Sequence, residues 1–413
     1  MKIKLKIRYT NTFLIYILVF SIIFQSGTVQ AANNPDSIMF KVTRLFMLII
    51  SLMICLKSIA CAKVNEMKNY IICFSIFEIL ALINYILYPA SAIELQYKIV
   101  LFLLFFWLGK LNEKKQDFLE NVFLDIIVLT ALFTIVLYFL IEILHIGIPY
   151  TKYEGINILY RNYFNIFYSY STKRIPRICG IFWEPGVYQI YLNLGLYLYY
   201  YLNKKKIFYL GVLVINIIFT QSTTGYIIAA VILANIIIQS GIVSKYYNLF
   251  MRISIGVIAV VFAIGIFMIK RKTTNTIGDS FYDRIHQNVT GIKIFMENPV
   301  FGTGFYNTGL FSSLNKAGSG NANGLLTWAY TTGTAGLLVA IVPYLYGIYK
   351  TPGKSGKRKK IIFFIYILLV NFTEPIYALP INVFFLSREY YSNVYRKRYT
   401  NYEGQEAKWS YQL

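Results

Sequence analysis

Two stretches of this chain gather side chains able to grip a phosphate or move a proton. The first, Arg174-Ile175-Pro176-Arg177-Ile178-Cys179-Gly180-Ile181-Phe182-Trp183-Glu184-Pro185-Gly186, carries two guanidinium groups and a carboxylate up to a proline. Guanidinium groups bind phosphate oxygens in pairs and stay charged. Pro185 suits the first turn of a helix, which leaves Glu184 near the positive end of the helix dipole. The second stretch reads Asp283-Arg284-Ile285-His286, followed by Asn298-Pro299-Val300-Phe301-Gly302-Thr303-Gly304-Phe305. Proline and alternating glycines there imply a tight turn with close backbone approach. No strand precedes Gly302-x-Gly304, so a nucleotide-phosphate loop is the wrong reading. The plain alternatives are that Arg177 and Glu184 pair only to fix a loop, and that His286 is structural.

The elements that must hold these groups are read from composition. Of 413 residues, 57% are hydrophobic and only 14% charged, against about 25% charged in an ordinary soluble domain. Lys and Arg number 40 against 18 acidic residues, a net charge of +22. The charges are sparse and punctuate apolar runs, which argues against a soluble enzyme, a disordered chain or a nucleic-acid-binding face. A bilayer span needs about 20 mostly apolar residues, and such runs recur along nearly the whole chain. The expected fold class is an all-α polytopic membrane protein with about twelve transmembrane helices and two long loops on one side. By residue number, N-terminal helices fill 1–144, a first long loop 145–184, central helices 185–269, a second long loop 270–324, C-terminal helices 325–387 and a tail 388–413. The first apolar run, ending at Val29-Gln30-Ala31, can also be read as a signal peptide.

Basic residues set the expected orientation. With the N-terminus cytoplasmic, 26 of the 40 fall in inner segments and three (Lys41, Arg44, Lys98) at short outer ends, the other eleven lying in the two long loops. The short-loop asymmetry puts both termini in the cytoplasm and both long loops outside. Each long loop is itself basic, five groups against two in the first and six against three in the second. Long loops translocate largely regardless of charge; the functional alternative is an anionic ligand at the outer membrane surface. Glu78, Asp125 and Glu142 are the main charges within apolar runs, too few for a transport path. Tyr160, Tyr163, Tyr168, Tyr170, Tyr188 and Tyr191 could serve an interfacial belt or stack on sugar rings. No metal-ligand spacing is present, so no metal or other cofactor is expected. Cys55, Cys61 and Cys73 fall in or beside helices and Cys179 stands apart in the first loop, so no disulfide framework is available.

The arrangement resembles the O-antigen polymerase and ligase superfamily of bacterial envelopes. The residues that carry the likeness are Arg177-x-x-Gly180-x-Phe182-x-Glu184-Pro185 and Gln221-Ser222-Thr223-Thr224-Gly225-Tyr226. They are followed by Arg284 ahead of Asn298-Pro299-x-x-Gly302-x-Gly304, and Asn323 ahead of Thr332-Gly333-x-x-Gly336-Leu337. The likeness spans about 174–338. It implies a membrane glycosyltransferase acting on undecaprenyl-diphosphate-linked oligosaccharide at the periplasmic face of the inner membrane, with membrane lipids and a chain-length regulator as further partners and no nucleic acid. Polymerisation of repeat units is the leading reading; transfer to lipid A–core by a ligase, or a flippase, are the alternatives. Two departures stand out. Ligases carry a histidine where this chain has Ala322, and the spaced Arg-to-Gly pattern of some polymerases is not met from Arg174, Arg177 or Arg284. The expected catalytic residues are Arg177, Glu184, Arg284 and His286; the expected substrate contacts are Arg161, Arg174, Tyr188, Tyr306 and Asn323.

Overall fold

The computed structural model describes residues 12–114, 117–155, 158–170, 177–239, 279–305, 307, 309–314 and 321–395. The expected helix over 249–269, the tail beyond 395, Arg174 and Tyr306 lie outside these residues. Helices dominate. They are α1 (Thr12–Phe24), α2 (Val29–Asn33), α3 (Ile38–Ala60), α4 (Val64–Leu87), α5 (Ala92–Phe106), α6 (Gly109–Lys114), α7 (Phe118–Tyr138), α8 (Pro185–Tyr201), α9 (Ile207–Thr220) and α10 (Thr223–Gln239). After the undescribed segment come α11 (Asp279–Glu297), α12 (Gly309–Leu314), α13 (Gly324–Lys350), α14 (Lys354–Thr373) and α15 (Pro380–Tyr395).

Four of them are long and apolar enough to cross a membrane: Ile38–Ala60, Glu66–Leu87, Phe118–Ile143 and Gly324–Lys350. Thr12–Phe24, Ile207–Thr220 and Thr223–Ile238 are apolar but shorter; 13 residues rise only about 20 Å against a roughly 30 Å hydrocarbon core. The outward faces of the long helices are apolar, with Leu56 59%, Leu82 59% and Ile86 68% exposed. Water would penalise so continuous an apolar surface; hydrocarbon does not.

At the centre stands α8, buried on every side from Val187 to Tyr200 and packed against α7, α9 and α10. A helix apolar all round belongs inside a bundle. The run read as either first helix or signal peptide forms α1, packed against α3 and α7 with Ile15, Leu18, Val19 and Ile22 wholly buried.

The first long loop departs from the all-helical expectation. It forms a four-stranded antiparallel sheet in the order β1 (Thr151–Gly155), β2 (Ile158–Tyr163), β3 (Phe167–Tyr170) and β4 (Arg177–Gly180). Phe164 and Asn165 both take positive φ at the β2–β3 turn, a geometry that matches the twist of a hairpin. Both faces of the sheet are covered. Tyr160, Tyr168 and Cys179 pack with Val29 and Trp183, while Tyr163, Phe167 and Ile178 join the main core. Cys179 is fully buried, and its thiol donates to the Tyr168 carbonyl at 2.9 Å.

In the second long loop, α11 runs for 19 residues and packs on α13. The turn after it is seated in a break of α13. Gly333 there has φ 65° and ψ −170°, and a Cβ on it would lie 2.2 Å from the Val300 carbonyl oxygen. Thr303 and Gly304 amides donate to the Tyr330 and Thr331 carbonyls (2.8 and 3.0 Å), while Thr334 and Ala335 amides donate to Pro299 and Val300 (2.8 and 3.1 Å). The close backbone approach read from the glycines is present, and Thr303 and Gly304 spend their amides on α13.

Candidate functional site

Two glutamates meet beside Gly186. Glu184 is the N-cap of α8, extended at φ −157° and ψ 161°, and its side chain caps nothing in its own helix. The carboxylate is thereby left to point elsewhere. The peptide before it is fixed from behind, because Trp183 donates its amide to the Gly27 carbonyl at 3.2 Å and Tyr160 donates its hydroxyl to the Trp183 carbonyl. Gly27 takes φ 106°, and a Cβ on it would fall 2.9 Å from Val187, so only glycine lets the two segments approach.

Glu374 comes from the far end of α14. Pro375 cannot continue a helix and disfavours helical geometry in the residue before it. Glu374 is accordingly extended at φ −140° and ψ 141° as the C-cap. Gly324, the first residue of α13, sits so close that a Cβ would lie 2.4 Å from the Glu374 carbonyl oxygen. A Cβ on Gly186 would lie 2.5 Å from Glu374 Oε1 and 3.6 Å from Glu184 Oε1. Three helix ends therefore converge on one small volume.

Burial pushes the Glu374 carboxyl well above the usual carboxylate range; the Glu184 charge and a hydrogen bond shared with Glu184 push the same way, while Arg284 and Arg177 pull it down. Two carboxyl groups can share a hydrogen bond only if one keeps its proton, since an ionised carboxylate is an acceptor only. The pair is closer than the roughly 5 Å or more separating the carboxyl groups of glycoside hydrolases. The two carboxyl groups therefore behave as one unit.

Arg177 opens β4 and is half-buried. Its Nε donates to the Thr220 carbonyl at 2.9 Å and its Nη2 to the Gln221 carbonyl at 3.3 Å. These lie at the C-terminal end of α9, where carbonyls lack intrahelical partners and the dipole favours a cation. Gln221 closes that helix in the left-handed conformation, φ 50°. Arg177 thus caps α9 while its charge acts on Glu374.

Arg284 lies exposed on α11 and its charge also reaches Glu374. The same face of α11 carries Gln287 and Asn288. Gln287 Oε1 accepts from the Ala322 amide at 3.1 Å, and Asn288 Oδ1 accepts from Asn323 Nδ2 at 3.2 Å. That face is turned toward the start of α13.

Of the expected site residues, Arg177, Glu184 and Arg284 are the ones whose charges act on Glu374; the other described ones lie aside. His286 is two residues from Arg284, about 200° around the helix, and lies exposed on the face of α11 away from α13. The expectation that it joins the catalytic group is corrected by this helical phase. Asn323 is the N-cap of α13, its Oδ1 accepting from the Leu326 amide at 3.0 Å; its work is to start a helix. Tyr188 is buried in α8, stacked on Phe182 at 5.6 Å and donating to Asn216 Oδ1 at 2.9 Å, so it cannot meet a sugar. Tyr160, Tyr163, Tyr168 and Tyr191 are likewise buried. Arg161 on β2 lies 3.5 Å from Glu142 and over the Tyr150 ring, a pairing within the sheet's own surroundings. Arg174 and Tyr306 lie outside the described residues.

Glu374 was not among the expected site residues. The available signal was a carboxylate locked beside a proline at the end of an apolar helix, a costly place for a charge. Asp125, by contrast, accepts from Tyr16 (2.9 Å) and Tyr209 (3.3 Å), and Glu78 accepts from Gln96 at 3.0 Å.

The chain matches no protein-family model and no curated protein.

Proposed function

We propose that the protein is a polytopic inner-membrane glycosyltransferase that polymerises lipid-linked oligosaccharide repeat units, transferring a glycan from undecaprenyl diphosphate at the periplasmic face. The proposal includes about twelve spans, cytoplasmic termini and both long loops outside, as the basic-residue asymmetry favours. One observation carries it: the charges of Arg177, Arg284 and Glu184, from three separate elements, all act on the one buried carboxyl of Glu374, and a lipid-borne diphosphate would meet such a group of cations.

Arg177 and Arg284 would receive the charge that builds on the diphosphate as the glycosyl bond breaks. Fixed guanidinium groups stabilise such charge without having to reorganise. Glu184 would take the proton of the attacking hydroxyl, a role that requires direct hydrogen-bond reach. The lipid tails would remain among the helices and keep both reactants at the surface. Ala322, standing where ligases carry a histidine, favours the polymerase over the ligase.

The test is Arg177→Ala in a strain whose own copy is deleted, with membrane levels of the variant verified. The expected result is lipopolysaccharide carrying single repeat units in place of a ladder. A wild-type ladder would remove Arg177 from the reaction; core alone, with glycan stranded on its carrier, would point to the ligase.

A further inference from the structure

The carboxyl pair asks for more than a single base. Charged groups reach Glu374 from three sides: Glu184 before α8, Arg177 on β4 and Arg284 on α11. Glu374 is buried, 8% exposed, while Glu184 is half-buried. The fold has left no room between them and the start of α8, as the 2.5 Å approach of Glu374 Oε1 to the Cβ position of Gly186 indicates.

We propose that Glu184 and Glu374 form a one-proton pair, in which Glu374 is a positioning residue that keeps its proton and holds the Glu184 carboxylate by it. This rests on the glycosyl-transfer reading for what the pair acts upon. In the step, the acceptor oxygen bonds to the anomeric carbon as its proton passes to Glu184. The bond from that carbon to the diphosphate oxygen breaks, and its electron pair leaves with the phosphate toward Arg177 and Arg284. A second negative carboxylate would repel the incoming diphosphate. Keeping Glu374 neutral leaves one base and two cations, a site with net positive charge. Loss of the pair's remaining proton at high pH would cancel that net charge, so activity should carry an alkaline limb that belongs to the pair and not to either residue alone.

The experiment uses the full chain in lipid nanodiscs. Dicyclohexylcarbodiimide, an apolar reagent that attacks protonated carboxyl groups, is applied at pH 7 and the adducts are located by mass spectrometry. One adduct within the pair is expected in the wild type, and none on Glu184 in Glu374→Gln. Absence of any adduct at the pair, or an adduct on Glu184 in Glu374→Gln, overturns the proposal. Transfer from a lipid-diphosphate oligosaccharide is then followed against pH. Glu184→Gln is expected to lose about 10²–10⁴-fold. Glu374→Gln, whose amide still donates, is expected to keep a reduced rate with its alkaline limb moved upward; Glu374→Ala should be slower still. An unmoved limb in Glu374→Gln overturns the positioning role. If the adducts behave as expected and no variant nor the wild type transfers glycan, the function falls and the proton sharing stands.

Discussion

At the C-terminal end of α8, Glu120 on α7 meets Arg388 on α15, and Lys360 on α14 meets Glu389. At its N-terminal end, Glu184 meets Glu374. The two ends are separated by 17 residues of helix, about 25 Å, and both bury charge. At the first end Glu120 and Glu389 each have a base against them, while Tyr201 donates to Asp117 and Tyr197 to the Lys359 carbonyl. Such pairs fix how helices sit, and they have no proton to give away. At the second end two acids face each other, and the arginines approach from the side. Matched charge builds a structure; mismatched charge, held in place by the rest of the fold, is where chemistry is found.

The contrast can be broken most forcefully at the matched end. Arg388→Ala leaves Glu120, 2% exposed, without its cation, and is expected to destabilise the protein by about 3–5 kcal/mol. Arg388→Met combined with Glu120→Gln should restore most of that loss. Thermal unfolding in detergent measures both. If the double variant transfers glycan normally, the matched end is structural; if it folds and is inactive, the division between the two ends fails.

A smaller effect of opposite sign is expected at the mismatched end. The folded protein keeps a proton on Glu374 that the unfolded chain releases above the ordinary carboxylate range. The native state therefore binds more protons there, and stability falls as pH rises. Glu374→Gln removes this dependence. The variant is expected to equal the wild type near pH 4 and to exceed it by about 1 kcal/mol or more above neutrality. Parallel unfolding curves at every pH would show that Glu374 is an ordinary carboxylate.

The smallest effect belongs one turn inside the mismatched end. Tyr188→Phe removes the bond to Asn216 within α8 and α9 and should cost about 1 kcal/mol. Glycan preference should not change. Altered preference among lipid-linked sugars would return Tyr188 to the binding surface and shift the site toward the core.

Much of this was legible in the sequence. Among the described residues, apolar runs marked where the long helices lie, four of them long enough to cross a membrane, because the bilayer-scale pattern depends only on composition; α11 fell in a segment read as loop. Pro185 marked the first residue of α8, and the glycines at 302 and 304 announced a turn pressed against another backbone. Arg177 and Glu184 were visible because they are close together in the chain. Glu374, 190 residues after Glu184, was not, since only the packing of α14 and α13 brings it to Gly186. His286 failed for the converse reason: proximity to Arg284 along the chain means the opposite face once the segment is helical. The sheet was hidden because its aromatic residues read equally well as an interfacial belt, and because its turn uses Phe164-Asn165 where Asn-Gly would have been the usual signal.

The seam between the 298–305 turn and α13 has a consequence for biogenesis. Without the turn, the Thr334 and Ala335 amides can return to the Tyr330 and Thr331 carbonyls four residues back, as in an unbroken helix; docking exchanges these bonds for ones to Thr303, Gly304, Pro299 and Val300. Each uncapped group in hydrocarbon costs several kcal/mol. The break at Gly333 leaves these groups paired only when the turn is in place, so this helix can enter lipid unbroken and take its kink as the turn closes upon it.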